Sequence, residues 1–322
     1  MKLNQKLTPF IDFIKKTPQL KFKLILAASI LLLIPAKNYY YSLDLSQDNP
    51  LVRPTNHQIL STSQYPVNTA NVPAPLLSAR SIAVIDVNSK TILFQKNPNE
   101  KLLPASTTKI MTAMVALDQY NLDDIVVINQ ATPAGQIMGL EIGERITVAN
   151  LLYGALVQSG NDAALALASF HPDGHDGFIK AMNRQALNFN LYDTQFLNAT
   201  GLDSFGHYTT VHDLSVLASE AMKNDTFKKI VSVDKVTVFD VDNTIEHELE
   251  TINQLLGKVS GLSGIKTGWT ELAGECLVTY TKRGGKEIIT VVLGSQDRFG
   301  ESEVLIDWAF TNHQWQDLPA TH

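Results

Sequence analysis

One cysteine in 322 residues, Cys276, excludes an internal disulfide framework and any zinc cage built from several thiolates. It sits in the apolar run Glu275-Cys-Leu-Val-Thr279, which reads as a buried structural thiol. No His-Glu-x-x-His is present, and His171-Pro-Asp-Gly-His175 reads as a loop of turn formers, so no metal and no organic cofactor is implied. A basic stripe is also missing. The net charge is -6, but residues 1–23 alone carry six lysines against Asp12, which leaves -11 for the remaining 299 residues. An acidic body with nothing to neutralise a row of phosphates argues against nucleic-acid binding. There is no internal repeat and no low-complexity tract.

The longest uncharged apolar run, Leu24 to Ala36, has thirteen residues, where a full membrane span needs about 20. Phe22 on one side and Tyr39, Tyr40 and Tyr41 on the other extend it, with Lys21, Lys23 and Lys37 reaching the headgroups. The segment 24–41 is therefore expected to be a single N-terminal transmembrane helix, with residues 1–23 cytoplasmic and the rest outside. Ile34-Pro35-Ala36 fits a signal-peptidase site poorly, although secretion after cleavage is the alternative. Residues 42–78, with prolines at 50, 54, 66, 73 and 75 and no helical or strand period, are expected to be an extended linker. The folded domain is expected over 79–316, followed by a tail, 317–322.

Within that domain, Ser81–Val87 and Thr91–Gln95 read as a hairpin. Cys276–Thr281 and Glu287–Leu293 flank Gly284-Gly285, which suits a two-residue hairpin turn. Glu301 to Trp315 has helical spacing. Between the ends, helices are expected at Ile110–Leu117, Val148–Val157, Asn161–Phe170, Gly177–Asn188 and Val211–Met222, and a strand pair across Ile230–Val241. A sheet built from both chain ends with a helical insertion is an α+β domain.

Ser106 and Lys109 stand three residues apart at the start of an apolar helix, so both side chains share one face. Burial there lowers the pKa of Lys109 toward that of a general base for the hydroxyl. Alone the pair is a common pattern, but Ser159-Gly160-Asn161 and Lys266-Thr267-Gly268 follow in order. With their flanks, Pro-Ala-Ser-Thr-Thr-Lys, Ser-Gly-Asn-Asp-Ala and Gly-Ile-Lys-Thr-Gly-Trp-Thr, the three motifs resemble those of the penicillin-recognising serine enzymes. The resemblance is nearest to the D-alanyl-D-alanine carboxypeptidases and extends over about residues 79 to 311, through Gly201-Leu-Asp, His207-Tyr-Thr-Thr, Asn253-Gln-Leu-Leu256 and Val291-Val-Leu-Gly-Ser295.

That resemblance implies a β-lactamase/transpeptidase-like fold and a serine D,D-carboxypeptidase that trims peptidoglycan stem peptides ending in D-Ala-D-Ala and is acylated by β-lactam antibiotics. It implies Ser106 as nucleophile, Lys109 as its base, Ser159 as proton relay to the leaving amine, and Asn161 holding Lys109 and substrate. Lys266 and Thr267 would bind the substrate carboxylate, Gly268 would admit the peptide, and the N–H groups of Ser106 and Trp269 would form the oxyanion hole. Some relatives carry an arginine where this chain has Ile252. The absence of any Glu between Glu144 and Glu220 argues against a Glu-dependent β-lactamase. A D,D-endopeptidase using the same residues and a catalytically silent wall-binding protein remain alternatives. Many relatives append a β-rich domain and a membrane-associating helix after the point where this chain stops, so attachment is expected from the N-terminal segment.

Overall fold

Two apolar runs separated by almost the whole domain meet edge to edge. In a computed structural model that describes residues 64–130 and 134–317, β2 (Ser81–Asp86) pairs antiparallel with β10 (Lys286–Ser295), Ile82 opposite Val292 and Val84 opposite Thr290. With β3 (Ile92–Lys96), β9 (Gly274–Arg283) and β8 (Leu262–Thr270) they form one antiparallel sheet in the order β3-β2-β10-β9-β8. The β9–β10 turn is Gly284-Gly285 with φ of +55° and +77°, the left-handed pair that a twisted two-residue hairpin needs.

Both faces of the sheet are covered, which is why its strands read as continuous apolar runs. Ile82, Val84, Leu277, Ile288 and Val292 pack under α7 (Arg298–Asn312) through Leu305, Ile306 and Trp308. Ala83, Ile85, Val278, Ile289 and Val291 face a helical lobe. The lobe comprises α1 (Lys109–Gln119), α2 (Val148–Leu156), α3 (Asn161–Ser169), α4 (Gly174–Asn188), α5 (Val211–Ala221) and α6 (Asp225–Val231). Thr147, Thr210 and Asn224 cap α2, α5 and α6 by accepting backbone N–H groups. The α+β architecture and the helices expected from sequence are present within three residues at each end.

Three expectations change. The linker reading of 42–78 gives way from residue 64: β1 (Tyr65–Asn68) pairs with β11 (His313–Gln316), Val72 O accepts from Trp308 Nε1 at 3.0 Å, and the Ser78 and Ala79 N–H groups are held by the Glu301 carboxylate. Pro66 lies in this edge strand, where a missing N–H is tolerated, and four residues are too few to show a period. The helix read over Glu301–Trp315 ends at Asn312, and Trp315 keeps its apolar face by stacking on Phe310 at 5.7 Å from within β11. The strand pair read across Ile230–Val241 is β6 (Lys235–Phe239) with β7 (Glu246–Glu250), and Ile230 and Val231 belong to α6. A short pair, β4 (Ile125–Val127) with β5 (Arg145–Thr147), was not anticipated. The expected membrane helix at 24–41 lies outside the described residues, among which no helix is long and apolar enough to cross a membrane.

Candidate active site

Ser106 lies in the single 3-10 turn Ala105–Thr108 that runs straight into α1. The turn is held by Pro104 O, which accepts from Thr107 N–H at 3.2 Å and Thr107 Oγ1 at 2.6 Å. Ala105 enters it with φ +48°, a left-handed conformation that an L-residue keeps only when its surroundings enforce it. Two glycines supply the enforcement. A Cβ on Gly201 would lie 1.9 Å from Ala105 O, and one on Gly268 would lie 3.0 Å from both Ala105 Cβ and Ser106 N. The loop after α4 and strand β8 thus clamp the turn from two sides at backbone contact.

One turn on, Lys109 is fully buried, and its Nζ has three neighbours: Ser106 Oγ at 3.0 Å, Asn161 Oδ1 at 2.7 Å and Thr200 O at 2.7 Å. Desolvation pushes its pKa down to about 7, against a smaller opposing pull from Asp162. Two of the neighbours are carbonyl oxygens that can only accept. A neutral amine, with two N–H groups and one lone pair, therefore satisfies both and turns its lone pair toward the Ser106 hydroxyl.

Ser159 stands between α2 and α3 with φ +62°, and its Oγ accepts from Lys266 Nζ at 2.8 Å. Lys266 is buried on β8, and its pKa is held well below the ordinary lysine value by desolvation first, then by Lys109 and Arg298. Asn161 begins α3. Its Nδ2 donates to Ala134 O at 2.7 Å and its N–H to Gln136 O at 2.7 Å, so one amide hydrogen remains. The next residue, Asp162, accepts from the N–H groups of Met138, Gly139 and Leu140 at 2.9 to 3.1 Å, and this draws residues 134–140 over the N-terminus of α3.

The eight residues singled out from sequence lie on the turn before α1, on α1, at the entry to α3 and on β8. Trp269 is 61% exposed at the mouth. Thr267 is buried and its Oγ1 has no hydrogen-bond partner among the described residues. Sequence reasoning missed Arg298, whose Nη1 donates to Gly268 O at 2.7 Å and whose buried Nε is also without a partner. No motif spacing announces it, because the whole β9–β10 hairpin separates it from β8 in the chain and only the sheet brings it back. Arg298 thereby sets a guanidinium beside β8.

The histidines have structural partners. His207 is buried, with Nε2 3.1 Å from Thr108 Oγ1 and Nδ1 3.2 Å from Asn198 Nδ2, and desolvation lowers its pKa to about 4. His171 Nδ1 accepts from the Asp173 N–H at 3.0 Å, within the turn that sequence suggested. Cys276 is buried in the sheet and its thiol is pushed up to about 11 by desolvation.

The site therefore presents a hydroxyl on a neutral amine, a second hydroxyl on a second buried lysine, and, beside a strand edge, the Thr267 hydroxyl and Arg298 Nε, neither with a partner among the described residues. The sequence profile of the D-alanyl-D-alanine carboxypeptidases matches residues 67–297. A D-alanyl-D-alanine carboxypeptidase of Streptomyces sp. (strain K15) is 35% identical over 246 residues, 70% of this chain and 83% of that protein. One from Bacillus subtilis (strain 168) is 32% identical over 250 residues, 74% of this chain. The chain spans 64% of the length of the Bacillus relative and 63% of that of a relative from Escherichia coli (strain K12). Among solved structures, the Streptomyces K15 DD-transpeptidase superposes with a TM-score of 0.69 at 34% identity, covering 74% of this chain and 100% of that one.

Proposed function

Because this chain belongs to the D-alanyl-D-alanine carboxypeptidase family, we propose that it is a serine D,D-carboxypeptidase that removes the terminal D-alanine from peptidoglycan stem peptides through an acyl-enzyme on Ser106. The observation that carries the reading is the Lys109 amine, buried and held at about pKa 7 with its lone pair left for Ser106. Near neutral pH, such an amine takes the serine proton as Oγ attacks the carbonyl between the two D-alanines. The developing oxyanion falls to the N–H groups of Ser106 and Trp269, on the two backbones that Gly268 lets approach. Ser159, hydrogen-bonded to Lys266, relays to the departing amine the proton that Lys109 took, giving its own and receiving that one, and water then releases the acyl group.

The substrate's free carboxylate calls for cations and donors in a poorly solvated place. Lys266, Thr267 Oγ1 and Arg298 Nε meet that need, and the lack of any other partner for the last two among the described residues supports it. The same arrangement accounts for covalent capture of β-lactam antibiotics, whose strained amide and carboxylate occupy the same two places. D-alanine release from a tripeptide ending in Lys-D-Ala-D-Ala, run beside Ser106→Ala, tests the proposal. Release lost in the variant supports it. Cleavage confined to cross-linked dimers would replace it with the endopeptidase reading, and absence of both cleavage and β-lactam acylation with the silent binder.

The domain is further proposed to work outside the cell, held by residues 24–41. Support comes from the six lysines before the apolar run. Protease added to intact protoplasts should degrade the catalytic domain; full protection would overturn this topology.

A further inference from the structure

Resting on that reading, we propose that the cavity between Leu103, Phe205, Tyr208 and Leu272 is the subsite for the side chain immediately preceding D-Ala-D-Ala, and that Asp203 selects a chain ending in an amine. The direction follows from the site. With the substrate carboxylate at Lys266 and Thr267 and the reacting carbonyl at Ser106 and Trp269, a peptide lying antiparallel on β8 carries its upstream residue past Trp269 toward Thr270 and the β8–β9 turn.

At that end Thr270 Oγ1 donates to Asp203 Oδ1 at 2.7 Å, which ties the strand to the loop 201–208. The cavity this encloses has a volume of about 430 Å³. Its inner wall, Leu102 and Leu103, leads directly into the turn that carries Ser106. Phe205 is 106% exposed and Leu272 71%, two large apolar side chains left in water beside the catalytic groove. Scattered single apolar residues need no explanation, but two lining one cavity with Leu103, which lies just before the Ser106 turn, suit the methylenes of a long side chain.

Charge gives the selection. Lys101, the cation at the rim, is already 3.0 Å from Asp193 and lies 4.7 Å from the centre of the Tyr208 ring. His207, at the back, is neutral at pH 7 because burial depresses its pKa. Asp203 has used one oxygen on Thr270, and its Oδ2 has no partner among the described residues. An ammonium arriving over Phe205 and Leu272 meets a carboxylate oxygen with no competing cation, and a charge-assisted bond of this kind is worth about tenfold in kcat/KM at a partly exposed site.

The test uses the full chain in detergent and three peptides that differ at the residue before D-Ala-D-Ala: lysine, Nε-acetyl-lysine and norleucine. Lysine should exceed norleucine about tenfold in kcat/KM, with acetyl-lysine near norleucine. In Asp203→Asn, which keeps an acceptor for Thr270, that ratio should fall to about one, while acylation by benzylpenicillin reports that the variant is folded. Equal kcat/KM for all three peptides in the parent protein, or an undiminished preference in the variant, would overturn the subsite. No D-alanine release from any peptide would overturn the carboxypeptidase reading and the subsite with it.

Discussion

At the scale of single residues, the site is assembled against local preference. Ala105 and Ser159 sit at positive φ, and the Lys109 and Lys266 amines are buried. Each conflict is a place where surrounding structure overrides the chain's own preference. For Lys109 the effect on stability has a definite sign. Its folded pKa, about 7, lies below the 10.5 of the ordinary lysine, so between those values the unfolded chain holds the extra proton and stability rises with pH. Relative to Lys109→Met, the parent protein should therefore gain on the order of 3 kcal/mol between pH 7 and 9.5 in urea denaturation. A difference that does not change with pH would mean the lysine is charged when folded. Gly201→Ala should cost more than about 2 kcal/mol and slow acylation, since its Cβ meets Ala105 O at 1.9 Å. Gly139→Ala, also at positive φ but in open space, should cost only about 1 kcal/mol; thermal unfolding of the pair separates clash from backbone strain.

Elements differ in how plainly the sequence announces them. Helices α1, α2, α3 and α5 are legible because each carries an apolar period, and α2 and α5 also begin at a capping threonine. The three motifs are legible because spacing survives folding. What stays hidden depends on partners far along the chain. β1 and β11 are four residues each and exist only as a pair, and β7 reads as polar because His247 fills an inward position, bonded to Glu144 at 2.7 Å. Arg298 belongs with these, reaching β8 only through the sheet. Deleting residues 64–78 should lower the melting temperature by several degrees, because it strips β11 of its partner, frees Trp308 Nε1 and takes the Ser78 N–H from Glu301. An unchanged melting temperature would restore the linker reading for these residues. Gly268→Ala should cut kcat/KM by about 10²–10³ with little loss of stability, because β8 must retreat from the Ser106 N–H.

For the molecule as a whole, one sheet with both faces covered fixes where chemistry can occur. The helical lobe supplies Ser106, Lys109, Ser159 and Asn161, and the outer strand β8 supplies Lys266 to Trp269. An edge strand has an unpaired side on which an extended peptide can lie, so the reacting groups line that edge. The central claim is that this burial makes Lys109 the base for Ser106. The rate constant for acylation by benzylpenicillin between pH 5 and 9 tests it most directly. It should rise along a single titration with a midpoint near 7 and be abolished in Ser106→Ala; a rate that is flat across that range, or that falls through pH 7, would contradict it.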